Sequence, residues 1–364
     1  MLQHCIRPRL STRLYSSRIP SQHLCSVPST RSRIPSNPLN PSGLKHQTQS
    51  PHSIRHLTTS QTMSSPPQPP QKDWSATQYL KFRTERTRPV YDLVSQITPL
   101  LLRPSSHARQ LRIHDLGCGP GNSTQVLFDA FPGSRITGMD SSRDMLLKAN
   151  ATFSDLQSVE DRDGKGKVDF VHGDLSTYTL GDHPEKADLV FSNAVFHWLR
   201  SPLRIPTLLR LFKSLSPGGV IAIQVPDNYH QPSHTLMRTT ASLPDTPWAR
   251  FFAGTQIGDV TYSSRPDLDP IEPPSAFYDA LSPYANNVNI WRTEYQHVLR
   301  DAGGIVEWVK GTGLQPYLNR IDDEGAKKAF LEEYEHRLKE AYPELTDGKV
   351  MLGYPRLFVV AVRK

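Results

Sequence analysis

Through the middle of the chain, short apolar runs alternate with helix-length stretches, and that alternation allows few folds. Leu111–Leu116 reads as a strand running into the turn Gly117-Cys118-Gly119-Pro120-Gly121, followed by a helix to about Phe131. Arg135–Asp140, Val168–Asp174, Asp188–Asn193 and Val220–Val225 read as further strands. Ser141 to Asn150 restarts a helix with Ser141 or Ser142 as its N-cap. Strands separated by helical stretches imply parallel pairing through crossover helices, so an α/β sheet covered on both faces is expected. A Pro-dense stretch from Leu243 to Pro283 lacks periodicity and reads as an insertion or lid loop. Beyond it, Val288–Leu299 and Arg356–Arg363 read as strands, and Ala326, Phe330, Tyr334, Leu338 and Tyr342 recur every four residues, giving one helix an apolar seam.

The charge of this chain is unevenly placed. Of 364 residues with a formal charge of +7, the first 72 hold nine Lys or Arg and no Asp or Glu, which leaves 33 basic against 35 acidic residues in the rest. The body therefore carries no excess of positive charge, and nucleic-acid binding gets no support from the basic total. No apolar run approaches the roughly 18 residues that cross a bilayer, so a soluble body with no membrane partner is expected. Only Cys118 of the three cysteines lies in the body, which excludes a disulfide framework or a cysteine metal site there. Residues 1–72 are rich in Arg, Ser and Pro, with Leu2, Ile6, Leu10 and Leu14 recurring between arginines, as in a mitochondrial transit peptide. Delivery to the mitochondrial matrix is the expectation, with a cytoplasmic product as the alternative if translation starts at Met63.

A glycine turn after an apolar strand, and an acid (Asp140) closing the next strand 19 residues past Gly121, match nucleoside binding at the carboxyl ends of parallel strands. Glycine lets the backbone approach a ligand, and the second-strand carboxylate can accept both ribose hydroxyls. A dinucleotide and S-adenosylmethionine compete for such a site. Asn122-Ser123-Thr124-Gln125 offers no third glycine at the dinucleotide spacing, which weakens a pyrophosphate site. Aspartates at three successive strand ends, Asp115, Asp140 and Asp174, are more than turn formers would supply by chance.

Asp115-Leu116-Gly117-Cys118-Gly119-Pro120-Gly121 resembles the first motif of the class I S-adenosylmethionine-dependent methyltransferases, whose Rossmann-like sheet of seven strands, six parallel and one antiparallel, is flanked by helices. That resemblance implies roles. Gly117 and Gly119 would pass beneath the methionine moiety, with Gly121 completing the turn. Asp115 would orient the ammonium, Asp140 with Ser141 beside it would grip the ribose, Asp174 would bond the adenine amino group with Leu175 against the ring, and Asn193 would lie near the transferred methyl. Cys118, within a tight turn, reads as a packing residue.

The likeness extends further. Asp73-Trp74, Tyr79–Phe82, Glu85–Pro89, Ile136–Ser142, Gln224–Asn228, His234–Arg238, Ile290–Thr293, Trp308–Leu314 and Pro355–Phe358 are similar to the trans-aconitate 2-methyltransferase family. It implies a methyl-esterifying enzyme acting on a tricarboxylate, with residues 73–364 as the catalytic domain, 73–110 as an N-terminal lid and 226–287 as a substrate-side cap. Two features depart from the family pattern: His197 stands where glutamine is expected, and the stretch from Leu243 to Pro274 is longer than in the bacterial proteins.

A carboxylate is ionised at neutral pH, so the reaction needs no general base and no catalytic acid–base residue is assigned. What it needs is alignment of oxygen, methyl and sulfur, exclusion of water, and donors for the carboxylates that do not react. The candidate donors are Arg83, Arg86, Arg88, Arg238, Arg292 and Arg356, with Tyr79, His197, Trp198 and Trp291 as walls. Arg86, Arg88, Arg292, Tyr79, His197 and Trp198 form the expected acceptor set, with Arg86 and Arg292 foremost. No residue cluster has metal-ligand spacing, and a monomer is expected. The competing reading is a mitochondrial methyltransferase-like assembly factor that acts on or holds a protein partner.

Overall fold

The computed structural model describes residues 77, 80–102, 110–154, 166–181 and 186–364. At its centre is a sheet of β1 (Arg112–Leu116), β2 (Arg135–Asp140), β3 (Lys167–His172), β4 (Leu189–Asn193), β5 (Val220–Pro226), β6 (Ala285–Leu299) and β7 (Val350–Arg363), in the order β3-β2-β1-β4-β5-β7-β6. Strands β1 to β5 pair in parallel, while β7 runs antiparallel to both β5 and β6. Six strands thus share one direction and one opposes them, as expected. Every residue of β5 is buried, as in a central strand covered on both faces, whereas β6 alternates between exposed and partly buried residues as an edge strand does. The order reverses between β1 and β4, which opens a crevice at their carboxyl ends.

Helices cover both faces. On one, α1 (Arg83–Leu101) buries Val90, Leu93, Val94 and Ile97 against Ile113, Phe191, Ala222 and Phe358. This corrects the reading of 73–110 as a lid: among the described residues, Val90–Leu101 form a layer of the sheet core, and it is the first turn of α1, at Arg86, that reaches the crevice. The same face receives α2 (Asn122–Ala130), while α3 (Arg143–Thr152) packs beside β2 and β3 with the Ser142 hydroxyl accepting from the Met145 amide. On the opposite face, Leu208, Leu211 and Phe212 of α4 (Ser201–Ser214) and Phe277 of α7 (Pro274–Leu281) meet Ile221, Ile223, Leu357 and Val359. No helix among the described residues is long and apolar enough to cross a membrane.

A second core stands beyond the strand ends. It joins α5 (Pro232–Ala241) and α6 (Ala249–Phe252) to α8 (Ala302–Lys310), α9 (Gln315–Leu318) and α10 (Glu324–Ala341), around Trp248, Trp308, Tyr317, Phe330 and Tyr334. The cap is therefore not residues 226–287 alone; the β6–β7 connection supplies half of it. Within the Pro-dense stretch, between α6 and α7, buried ion pairs add to the apolar contacts that those helices make. Arg265 pairs with Asp267 at 3.1 Å and with Asp269, Arg200 reaches Asp269 at 3.1 Å, and Arg204 meets Glu272 at 2.6 Å. Burial alone would raise the Asp269 pKa, but the Ser201 amide, Arg265 and Arg200 hold its carboxyl below the usual range. Removing one partner strands buried charge, so Arg265→Leu is expected to cost about 3–5 kcal/mol of unfolding free energy in urea titration. A change under about 1 kcal/mol would show that the cluster is not what fixes this segment.

Candidate active site

The glycine turn after β1 is built by its backbone. Gly117, Gly119 and Gly121 all have positive φ (72°, 54° and 92°). The Gly117 and Cys118 amides donate to the Met139 carbonyl at 2.7 and 3.0 Å, pinning the turn to the end of β2. Asp140 then acts as a hub: its Oδ2 accepts from the Gly119 amide and its Oδ1 from the Ser142 amide, both at 2.8 Å. Asp115 is completely buried and accepts from the hydroxyls of Ser123 and Thr124 at 2.7 Å each, while its Oδ1 has no partner. Burial raises its pKa to about 6, against the opposing effect of the Thr124 and Ser123 hydroxyls.

The two leading glycines separate fold from ligand. A Cβ on Gly117 would come within 2.1 Å of the Val195 side chain, whereas one on Gly119 meets nothing within 4 Å. Gly117→Ala is therefore expected to lower the melting temperature by several degrees. Gly119→Ala carries only the modest backbone strain of positive φ, about 1 kcal/mol, and places a methyl group in the crevice. The expected outcome is a near-normal melting temperature with weakened cofactor binding in calorimetry; wild-type affinity would show that nothing approaches this backbone.

These elements open into one cavity of about 370 Å³ at the carboxyl ends of β1, β2, β4 and β5. Gly117, Gly119, Asp140, Ser141, Asp174, Leu175 and Asn193 line it, and so do Arg86, His197 and Trp198. Asp115 and Gly121 do not: Asp115 acts from behind, bracing the first turn of α2, and a Cβ on Gly121 would meet Phe153 at 2.9 Å. Asp174 Oδ1 accepts from the Ser176 amide at 2.7 Å, which fixes the carboxylate at the mouth of β3. Asn193 Oδ1 on the wall is buried without a hydrogen-bond partner, and Ala194 beside it is held at φ 59°. An unmet acceptor, open space over Gly119 and a carboxylate fixed at the end of β2 suit a nucleoside bearing an ammonium group, so the residues fit S-adenosylmethionine.

The far half of the cavity differs in chemistry. Arg86 is buried, donates to the Trp308 carbonyl at 2.9 Å and stands 5.3 Å over the Trp308 ring. Arg356, also buried, donates to Gln224 Oε1 at 2.9 Å and lies 5.1 Å from the Tyr354 ring. Two histidines stand with them. Burial, with Arg204, Arg356 and His234 nearby, holds the His197 pKa well below 6.5, and burial beside Arg238 lowers that of His234 to about 3. Both are neutral at pH 7.

Two expected acceptor residues lie elsewhere. Arg88 is on the exposed side of α1 paired with Asp92, because residues two apart on a helix point away from each other and Arg86 holds the buried side. Arg292 is half-exposed and paired with Asp227 at 2.8 Å. The register explains it: Thr293, not Arg292, sits opposite Arg356, so Arg292 falls on the other face of the sheet. Trp291 is partly buried and stacks on Phe358 of the sheet core. Tyr79 lies outside the described residues. His234, Asn228, Trp308 and Tyr354 line the cavity without having been singled out, although three of the four fall in segments that carry the family likeness.

The buried histidines also set an acid limit. An unfolded histidine takes up a proton near pH 6.5, and a folded one with a depressed pKa does not, so each costs about 1.4 kcal/mol of stability per pH unit of acidification in that window. His114 (to about 4, by burial and Arg112), His197 and His234 act this way. Asp115 opposes them, its raised pKa favouring the fold as pH falls from about 6. The expected result is a net loss of stability between pH 6.5 and 5, measured by urea unfolding; an unchanged midpoint would mean that these imidazoles are accessible to protons.

The comparisons with known proteins agree with this geometry. Residues 114–221 match the family model described as a methyltransferase domain. Over 291 residues, 80% of this chain and 99% of the relative, the chain is 43% identical to a trans-aconitate 2-methyltransferase of Agrobacterium fabrum. It is 42% identical over the same shares to the protein of that name from Afipia carboxidovorans. The glycine turn, the strand-end carboxylates and these likenesses lead to one conclusion: the chain belongs to the trans-aconitate 2-methyltransferase family of S-adenosylmethionine-dependent methyltransferases.

Proposed function

We propose that this enzyme methyl-esterifies one carboxylate of trans-aconitate or a closely related tricarboxylate, forming S-adenosylhomocysteine. The observation that carries the reading is the presence of two buried arginines, Arg86 and Arg356, on the wall of the cavity that Asp140 and the glycine turn open into. S-adenosylmethionine supplies an electrophilic methyl group when bound. The chain's own work is to hold and align. Planar guanidinium groups suit the carboxylates that do not react, leaving the third to meet the methyl in line. Trp198, Trp308 and Tyr354 supply apolar wall that excludes water, and His197 and His234, being neutral, add donors or acceptors without competing as cations. No proton has to move, since the acceptor is already ionised.

The test is incubation of the purified full-length chain with labelled S-adenosylmethionine and, separately, trans-aconitate, cis-aconitate, citrate and isocitrate, with mass identification of any ester. Preferred transfer to trans-aconitate is expected. Cofactor binding without transfer to any of the four acids would overturn the tricarboxylate reading and favour a protein acceptor.

A second reading concerns where the enzyme works. The Arg-, Ser- and Pro-rich composition of residues 1–72, devoid of acids, supports delivery to the mitochondrial matrix. A reporter carrying residues 1–72 is expected in mitochondria; a cytosolic reporter would favour the product that starts at Met63.

A further inference from the structure

Gln224 is a glutamine in a strand whose other residues are Val, Ile, Ala, Ile, Val and Pro, and it is completely buried. An apolar side chain of the same size would avoid the cost of burying an amide, so its presence there asks for a reason. The two ends of its amide supply one. Its Oε1 accepts from Arg356 Nη1 at 2.9 Å, and its backbone carbonyl accepts from the Ala194 amide at 2.8 Å. Its Nε2 is buried with no hydrogen-bond partner. In the parallel register with β4 its neighbour is Asn193, a residue of the cavity wall whose buried Oδ1 is likewise without a partner.

The sheet places these groups in a row. Gln224 alternates with the residues that pack beneath the other face, so it lies on the α1 side with Val220 and Ala222. Asn193, two residues after Phe191, lies on the same side, as does Arg356, two residues before Phe358. Gln224 faces Phe358 across the antiparallel pair, which makes Arg356 its diagonal neighbour, a distance that a long side chain spans. The row runs from the cofactor half of the cavity, at Asn193, to the acceptor half, at Arg356, with Gln224 between them.

We propose that Gln224 is a positioning residue that aims the Arg356 guanidinium at the acceptor carboxylate, and that it does so as a neutral amide. The inference rests on the tricarboxylate reading above. An Oε1 facing Arg356 fixes which way the amide is turned and sends Nε2 to the side of Asn193, so the orientation of one arm determines the other. Guanidinium recognition depends on the plane of the fork as well as on its charge; a guanidinium released from its anchor keeps the charge and loses the aim. A carboxylate at the same place would bond Arg356 more strongly and compete with the substrate for it.

The test is steady-state kinetics of the full-length enzyme with Gln224→Leu, Gln224→Met and Gln224→Glu, alone and in an Arg356→Ala background. Gln224→Leu and Gln224→Met are expected to raise KM for the tricarboxylate roughly 10- to 30-fold, the loss expected for one hydrogen bond to a charged group. The Kd for S-adenosylmethionine should stay within about threefold in calorimetry, since the cofactor half keeps its own contacts. Gln224→Glu is expected to be at least as impaired despite retaining a hydrogen-bond acceptor. In the Arg356→Ala background the same substitutions should add little, because Gln224 acts through that arginine. An unmoved KM in both neutral variants, full rescue by glutamate, or losses that multiply with those of Arg356→Ala would each overturn the proposal. Gln224→Met keeps the length of the side chain and carries the test if Gln224→Leu does not fold. A wild-type enzyme that turns over none of the acids overturns the parent reading as well, whereas active wild type with unaffected variants defeats the positioning role alone.

Discussion

Asp140→Ala is expected to weaken S-adenosylmethionine binding by about 100-fold or more, as calorimetric titration can measure, and to loosen the glycine turn, since the Gly119 and Ser142 amides both lose their acceptor. The carboxylate is already engaged by the amides of Gly119 and Ser142, so it is fixed before any ligand arrives, and the entropy of holding it is not charged to binding. A hydrogen bond from a neutral donor to a charged group contributes about 1.5–3 kcal/mol, and two ribose hydroxyls together reach the expected loss. Asp140→Asn is the sharper variant. It keeps the size but can satisfy only one of the two amides as an acceptor, so the Gly119 or the Ser142 amide loses its partner and the turn loosens. Affinity within threefold of wild type in both variants would refute the assignment of Asp140 to the cofactor.

The second large effect is expected in the acceptor half. Arg86→Ala and Arg356→Ala should each lower kcat/KM for trans-aconitate by about 100-fold, at roughly 3 kcal/mol for a buried charge-assisted pair, with cofactor affinity retained. Lysine should not rescue either one, since an ammonium has neither the fork nor the plane. The double variant distinguishes two geometries. Separate carboxylates bound by the two residues would make the losses multiply, to about 10,000-fold; one carboxylate shared between them would leave the double variant little worse than either single. Arg88→Ala and Arg292→Ala should lie within about threefold of wild type, because both side chains are solvent-exposed ion pairs away from the cavity. If Arg292→Ala proved as damaging as Arg356→Ala, the face assignment read from the β6–β7 register would be wrong.

The acceptor half shows where sequence reasoning stops. Arg292 and Arg356 both lie in segments that carry the family likeness. What separates them is that the antiparallel register puts Thr293 opposite Arg356, which is a property of the pairing of residues 63 apart in the chain. The cap has the same origin. Ala326, Phe330 and Tyr334 announce an amphipathic helix by their spacing, but nothing in that spacing says that they pack against Trp248 and Phe252 from the other insertion. His234 and Trp308 reach the cavity only because those two insertions close on each other.

By itself the sequence determined the strand-and-helix alternation, the turn at Gly117 to Gly121, and the strand-end positions of Asp115, Asp140, Asp174 and Asn193. These depend on neighbouring residues: side-chain alternation, turn chemistry and the reach of a carboxylate from the end of its own strand. Parallel crossover connections then bring consecutive strand ends to one edge of the sheet, so a cofactor site made there is nearly local in origin. The acceptor site is not. Which arginines face the cavity, that residues 90–101 form core rather than cover, that Asp115 supports the site from behind, and that Gln224 stands beside Arg356 were all decided by tertiary structure. A shift of one residue in strand register, or a helix rotated by two residues, exchanges the face a side chain occupies, and only long-range packing sets either one.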